Sequence, residues 1–284
     1  MIRQAEKRVG TAPGARIGRP PIPHEHGAWV ILYAPLLIGF GAALHGTVPI
    51  KWLLLTLAVM GAFLAREAAG LLLRGRGKAG TGFWLAIYAA AWLAGGLPLL
   101  LLCHLSSLLW IGALMVILFA LHSLLLVRGR LDRSQWGEIL GVGALTLTAP
   151  AAYSVATAAL DFRAWLVWAG CLLYFSGPIF YVKMLLAAAK SRRAWSEEKR
   201  REIGRDTFIY HALLAITLLG VALRIGGDSA LWLGAAYLPT LLRAFYRAVK
   251  LTPELPPLKR IGIQETLHAL WFMICFLTAI RMLY

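Results

Sequence analysis

The chain has 284 residues, of which 60% are hydrophobic and 15% charged, and its formal net charge is +16. That composition excludes an ordinary soluble domain, in which about a quarter of the residues are charged. It also argues against a nucleic-acid partner, because the basic residues fall in short runs between apolar stretches rather than along one continuous stripe.

Residues 1–22 are polar, basic and rich in Pro and Gly, the composition of a disordered cytosolic tail. No apolar run directly follows the first basic residues, so a cleaved signal peptide is not expected. Residues 23–284 read as one transmembrane domain that opens on Pro23-His24-Glu25-His26-Gly27-Ala28-Trp29. In an extended segment His24 and His26 face the same way, as two ligands for a divalent metal, with Glu25 turned aside. A structural reading competes: Glu25 in a first helical turn caps the helix and complements its positive end. A polar contact with lipid or substrate is a third. Trp29 reads as an interface anchor.

Nine apolar stretches follow, at roughly 28–45, 50–70, 82–102, 107–127, 137–157, 163–185, 207–225, 229–248 and 264–283. Each is close to the ~20 residues that cross a bilayer core. With the amino end in the cytosol, the inner connections collect Arg74, Arg76 and Lys78, then Arg128, Arg130 and Arg133. They also hold the seven basic residues from Lys190 to Arg205, and Lys250, Lys259 and Arg260. The outer connections hold Lys51, Arg163 and Arg224, with Arg281 near the carboxyl end. This bias follows the positive-inside rule. The expected fold is an all-α polytopic membrane bundle of nine transmembrane helices, amino terminus cytosolic and carboxyl terminus outside.

Pro35, Pro98, Pro150, Pro178 and Pro239 fall inside these stretches, where each removes a backbone donor and can bend its helix. Between Ala187 and Asp206, Glu198, Glu202 and Asp206 alternate with basic residues at helical spacing, the pattern of a charged surface helix. Cys103, Cys171 and Cys275 are scattered and make neither a disulfide framework nor a zinc pattern.

The candidate chemistry gathers at the inner ends. Arg66, Gly70 and Arg74 share one face of the second helix, with Glu67 beside them. Burying Arg66 and Glu67 below the headgroups costs several kcal/mol unless they are paired or hydrated. They therefore mark either a hydrated chamber or a snorkelling ion pair. Lys183 ends the sixth helix, and Arg243 and Arg247 close the eighth one turn apart, in reach of a phosphate, a carboxylate or lipid headgroups. In the ninth helix Glu265 and His268 stand three residues apart, as a general base, a proton relay or a buried structural pair. The catalytic candidates are thus His24, Glu25, Glu67, Glu265 and His268; the cofactor- or head-binding candidates are Arg66, Arg74, Lys183, Arg243 and Arg247; the metal candidates are His24 and His26. No GxSxG, Walker-type or GxGxxG motif occurs.

The opening run with Pro35 and Gly39, the Tyr174-Phe175-Ser176-Gly177 and Tyr181-Val182 region, and Lys259-Arg260-Ile261-Gly262-Ile263-Gln264-Glu265 resemble the YwiC-like family of bacterial integral membrane proteins. That resemblance implies no established activity. A more distant likeness in architecture is to the UbiA-type prenyltransferases. It implies a cytosol-facing cavity and a prenyl diphosphate held through magnesium by two Asp-rich motifs. The corresponding stretches here hold Arg66-Glu67 and Arg74, then Lys183 and the basic run from Lys190 to Arg205, without the aspartate repeat. Three readings stay open: an enzyme or binder for an isoprenoid or other lipid with an anionic head, a small-solute transporter, and an accessory subunit of a membrane complex. All three place the chain in the bacterial cytoplasmic membrane with lipids as its immediate partners.

Overall fold

A computed structural model describes residues 18–23, 26–43, 49–127, 135–191 and 195–283. Among them the chain is all α-helical. The helices are α1 (His26–Ala42), α2 (Pro49–Leu73), α3 (Thr81–Leu101), α4 (Ser107–Val127), α5 (Gln135–Thr146), α6 (Thr148–Thr157), α7 (Phe162–Lys190), α8 (Glu197–Ile225), α9 (Gly227–Val249) and α10 (Leu258–Leu283). Each apolar stretch read from the sequence coincides with one helix, or with the pair α5 and α6. Among the described residues six stretches, rather than nine, are long and apolar enough to cross a membrane by length and composition: α2, α3, α5 with α6, α7, α8 and α10. Described residues of α1 and α4 give shorter apolar helices, and α9 carries Asp228, Arg243 and Arg247 within its 23 residues. The result is a multi-helix bundle of the kind polytopic membrane proteins build.

The fifth stretch breaks at Leu147 because Pro150 has no N–H to offer the carbonyl of Thr146, where α5 ends. Pro35, Pro98, Pro178 and Pro239 instead lie within uninterrupted helices. The charged segment before the seventh stretch is the first part of α8 itself. Ser196 caps that helix by accepting from the Lys199 N–H at 3.1 Å, and Glu197–Arg200 and Lys199–Glu202 pair along it.

α1 is the central post. Ala34, Ile38 and Ala42 face a core shared with α7, α9 and α10. Leu36, Phe40 and Ala43 face a second core built with α2, α3 and α6. α6 crosses α1 at Gly39, where a Cβ would meet the Ala149 carbonyl oxygen at 2.1 Å. Only a glycine permits that backbone approach. The Thr148 hydroxyl donates to the Leu32 carbonyl at 3.0 Å and ties the same pair.

α2 and α3 pack as a tight antiparallel pair through Gly61 and Gly95, each with backbone of the other helix inside 2.5 Å of a would-be Cβ. α3 and α4, although consecutive, scarcely touch; α4 packs on α5 and α6 instead. The link between them turns at His104, whose φ of 53° is left-handed. One end of the bundle collects the ionisable side chains: the end where α2, α4, α7 and α9 finish and α5, α8 and α10 begin.

Candidate functional site

The splaying of α3 from α4 leaves an apolar cavity of about 850 Å³ between α2, α3 and α4. Leu32 of α1, Leu145 of α5 and Thr148 and Ala151 of α6 close it from behind. Along α2 the lining runs from Leu55 to Ala69, about 21 Å at 1.5 Å per helical residue. Among the described residues that line it Arg66 is the one ionisable side chain, and it lies at the charged end. Its guanidinium stands 5.9 Å from the Phe63 ring and 5.1 Å from the Phe119 ring, and 3.9 Å from the Glu67 carboxylate. The cavity is therefore a long greasy slot with a single cation at one end.

Arg74 is exposed, and its guanidinium folds back over Gly70, with Nη2 3.7 Å from where a Cβ would sit. The stride of Arg66, Gly70 and Arg74 thus does place both guanidiniums along one face. Trp29, expected at the membrane interface, turns its half-buried ring inward onto Tyr33 and Phe63, at 6.1 and 5.1 Å between centroids. Its indole N–H reaches the Pro23 carbonyl at 3.4 Å. The segment Gly18–Pro23 lies along α3, held by the Trp84 indole N–H on the Gly18 carbonyl at 2.8 Å and the Tyr88 hydroxyl on the Pro21 carbonyl at 3.4 Å.

A second polar centre lies across α1, within α7, α9 and α10. Arg243 donates from Nη2 to Glu265 Oε1 at 2.6 Å, with the two side chains 15% and 20% exposed. The same guanidinium covers the Tyr181 ring at 4.1 Å. Buried around this pair, and without a hydrogen-bond partner, are Arg243 Nε and Nη1, Glu265 Oε2, Tyr174 Oη and His268 Nδ1. Tyr174 is 3% exposed and stacks on Phe272 at 3.8 Å. Each such orphan costs roughly 1–3 kcal/mol, so the arrangement concentrates unmet hydrogen-bonding capacity in one place. The neighbouring His211 is buried and spends Nδ1 on the Thr207 carbonyl at 2.8 Å.

Lys183 reaches across to Glu138 on α5 at 2.9 Å. His122 Nδ1 and the Gly137 carbonyl, 2.8 Å apart, link α4 to α5. Arg243 is engaged with Glu265, while Arg247 stays half-buried one turn on. Glu265 and His268 do sit close on α10, but the partner Glu265 takes is on α9. Among the described residues the Arg66–Glu67 pair stands on α2, and the Arg243–Glu265 pair with His268 on α9 and α10. His24 and Glu25 lie outside the described residues; His26 begins α1, and its side chain is outside them too. Among the described residues no group of three or more His, Cys, Asp or Glu is placed to hold a metal ion. The apolar slot and the orphaned Tyr174 hydroxyl were not among the candidates read from the sequence: Tyr174 entered only through the family resemblance, and both arise from how helices distant in the chain meet.

Comparison with known proteins adds three findings. A family described as YwiC-like protein matches residues 22–153. A protein of Bacillus subtilis (strain 168), described as uncharacterized protein YwiC, is 27% identical over 263 residues, covering 89% of this chain and 95% of that one. No solved structure matches the chain.

Proposed function

The chain belongs to the YwiC-like family, and we propose that this bacterial multi-pass membrane protein holds a lipid or isoprenoid chain in the slot between α2, α3 and α4. Arg66 meets the anionic head. The observation that carries this reading is the cavity itself: about 850 Å³, apolar along its length, with one guanidinium at one end. An aliphatic chain gains by leaving contacts with mobile lipid for a shaped apolar wall, and a charged head gains by reaching Arg66. The same reading puts nine crossings in the membrane, the amino end in the cytosol and Arg66 at the level of the inner headgroups. It is a binder's site first. Among the described residues the lining contains no carboxylate.

Lipid analysis of protein extracted from its native membrane tests this. A lipid retained through exhaustive washing is expected in the wild type. Gly96 and Gly112 line the cavity with nothing within 4 Å of a would-be Cβ, so Gly96→Phe fills the slot without striking backbone. Equal retention by wild type and Gly96→Phe would refute the reading. A transporter of small solutes is the second reading, favoured by the five orphaned polar atoms around Arg243 and Glu265. Gradient-driven solute uptake into proteoliposomes, lost on Tyr174→Phe, would put it first.

A further inference from the structure

We infer, resting on the reading that the slot holds a lipid chain, that it selects tails by length: it takes one tail of about 14–17 bonds, and Gly96 sets where that tail stops. The length follows from the register of the three lining helices. α2 and α4 run the same way, toward the charged end, and there the Phe119 ring of α4 meets the Arg66 guanidinium of α2 at 5.1 Å. Eleven residues back along each helix stand Leu55 and Leu108, and both line the cavity. That separation is about 16 Å on either wall at ~1.5 Å per residue. α3 runs the other way, and a Cβ on its Gly95 would meet backbone of Leu54 and Ala58, so Gly96 comes level with Leu55. The three walls end at one depth.

That depth is closed. Leu55, Leu99 and Ile111 line the cavity and belong to one buried core with Leu36 and Phe40 of α1. The link from α3 to α4 turns at His104 and returns Leu105 to the same core, its N–H on the Leu99 carbonyl at 3.1 Å. A tail that reaches this packing goes no further without opening a close-packed interior. An extended carbon chain advances roughly 1.2 Å per bond, the advance of a fully extended backbone shared over its three bonds per residue. From Arg66 to Leu55 the slot holds about 14 bonds, and from Ala69, where the lining on α2 begins, about 17. An acyl chain and an isoprenoid of three or four units share this length; a polyprenyl chain of eleven units is about three times too long. Gly96 lines the slot at the closed end, and a Cβ there meets nothing within 4 Å. A larger side chain at that position takes up the last turn of depth, about 5 Å or four bonds.

The test offers the purified full chain a series of alkyl phosphates, all with the same head, and reads retention by native mass spectrometry. Decyl, tetradecyl, hexadecyl and docosyl phosphate are compared. Retention is expected to peak at tetradecyl or hexadecyl and to fall about tenfold at docosyl, as the surplus tail is turned away from the shaped wall. Retention that climbs steadily with tail length, as partition into a micelle does, overturns the length limit. Gly96→Leu is expected to move the maximum down by about four carbons; Gly96→Val serves if that variant does not fold. Gly220→Leu, on the exposed side of α8 with nothing within 4 Å of a would-be Cβ, is expected to leave the profile unchanged. A maximum unmoved in a folded Gly96 variant, or moved equally by Gly220→Leu, overturns the role of Gly96. Farnesyl phosphate and undecaprenyl phosphate complete the series. Farnesyl phosphate held tighter than tetradecyl phosphate names an isoprenoid as the source and the reverse names an acyl chain, either one supporting the length; undecaprenyl phosphate held tightest overturns it. A wild type that retains none of these probes removes the functional reading itself, a different result from any of these.

Discussion

Replacing Arg243 by methionine removes one partner of the most buried ion pair among the described residues. Its Nη2 lies 2.6 Å from Glu265 Oε1 and joins α9 to α10, and its charge covers the Tyr181 ring of α7 at 4.1 Å. After the substitution Glu265 keeps its burial but loses its cation, and its Oε2 already lacks a partner. Stranding one member of a buried pair costs about 3–5 kcal/mol, and the lost cation–π contact adds ~0.5–2 kcal/mol. Unfolded segments in a membrane also find polar partners, which lowers such values, so the expected loss for Arg243→Met is roughly 3 kcal/mol. Arg243→Met with Glu265→Leu removes both charges and three of the orphaned atoms together. Replacing a whole buried pair by apolar residues is often neutral, so the double variant is expected within ~1 kcal/mol of wild type. Reversible unfolding of micellar protein by SDS, run on both single variants and the double, gives the coupling. Additive losses, with the double variant as unstable as the sum of the singles, would refute the argument that the two charges are held for each other.

Gly39→Ala and Gly61→Ala place a methyl 2.1 and 2.4 Å from backbone of a neighbouring helix, whereas Gly96→Ala meets nothing within 4 Å; thermal unfolding is expected to show losses of ~1–3 kcal/mol for the first two and little change for the third. Tyr210→Phe deletes the hydroxyl that donates to the Leu173 carbonyl at 2.5 Å and should cost about 1 kcal/mol in the same assay. In a Cys103→Ser background, Asp228→Cys in the first turn of α9 should react with an impermeant maleimide added to intact cells, and Ser191→Cys after α7 should not; the reverse pattern would invert the proposed orientation.

Much of the fold was legible because it is written in composition. A run of apolar residues near bilayer length needs no tertiary information, and the charge pattern from Glu197 to Asp206 named a helix that α8 contains. Pro150 signalled a disturbance, although the stretch around it read as one helix and proves to be two. The cavity was not legible for a physical reason. α3 and α4 are apolar all round, so no moment in the sequence tells which face meets a neighbour and which is left open. The partner of Glu265 was hidden in the same way. His268 is its neighbour at helical spacing, but the bond goes to Arg243, 22 residues away on another helix. Local periodicity places a residue on a face; what that face touches is decided by packing.

The most direct measurement is a density map of the natively extracted protein in a lipid nanodisc. The account predicts an elongated density between α2, α3 and α4, running beside Leu55 to Ala69 with its broader, polar end at Arg66. A slot closed by α4 packing onto α3, or an occupant whose head lies at the end away from Arg66, would contradict it.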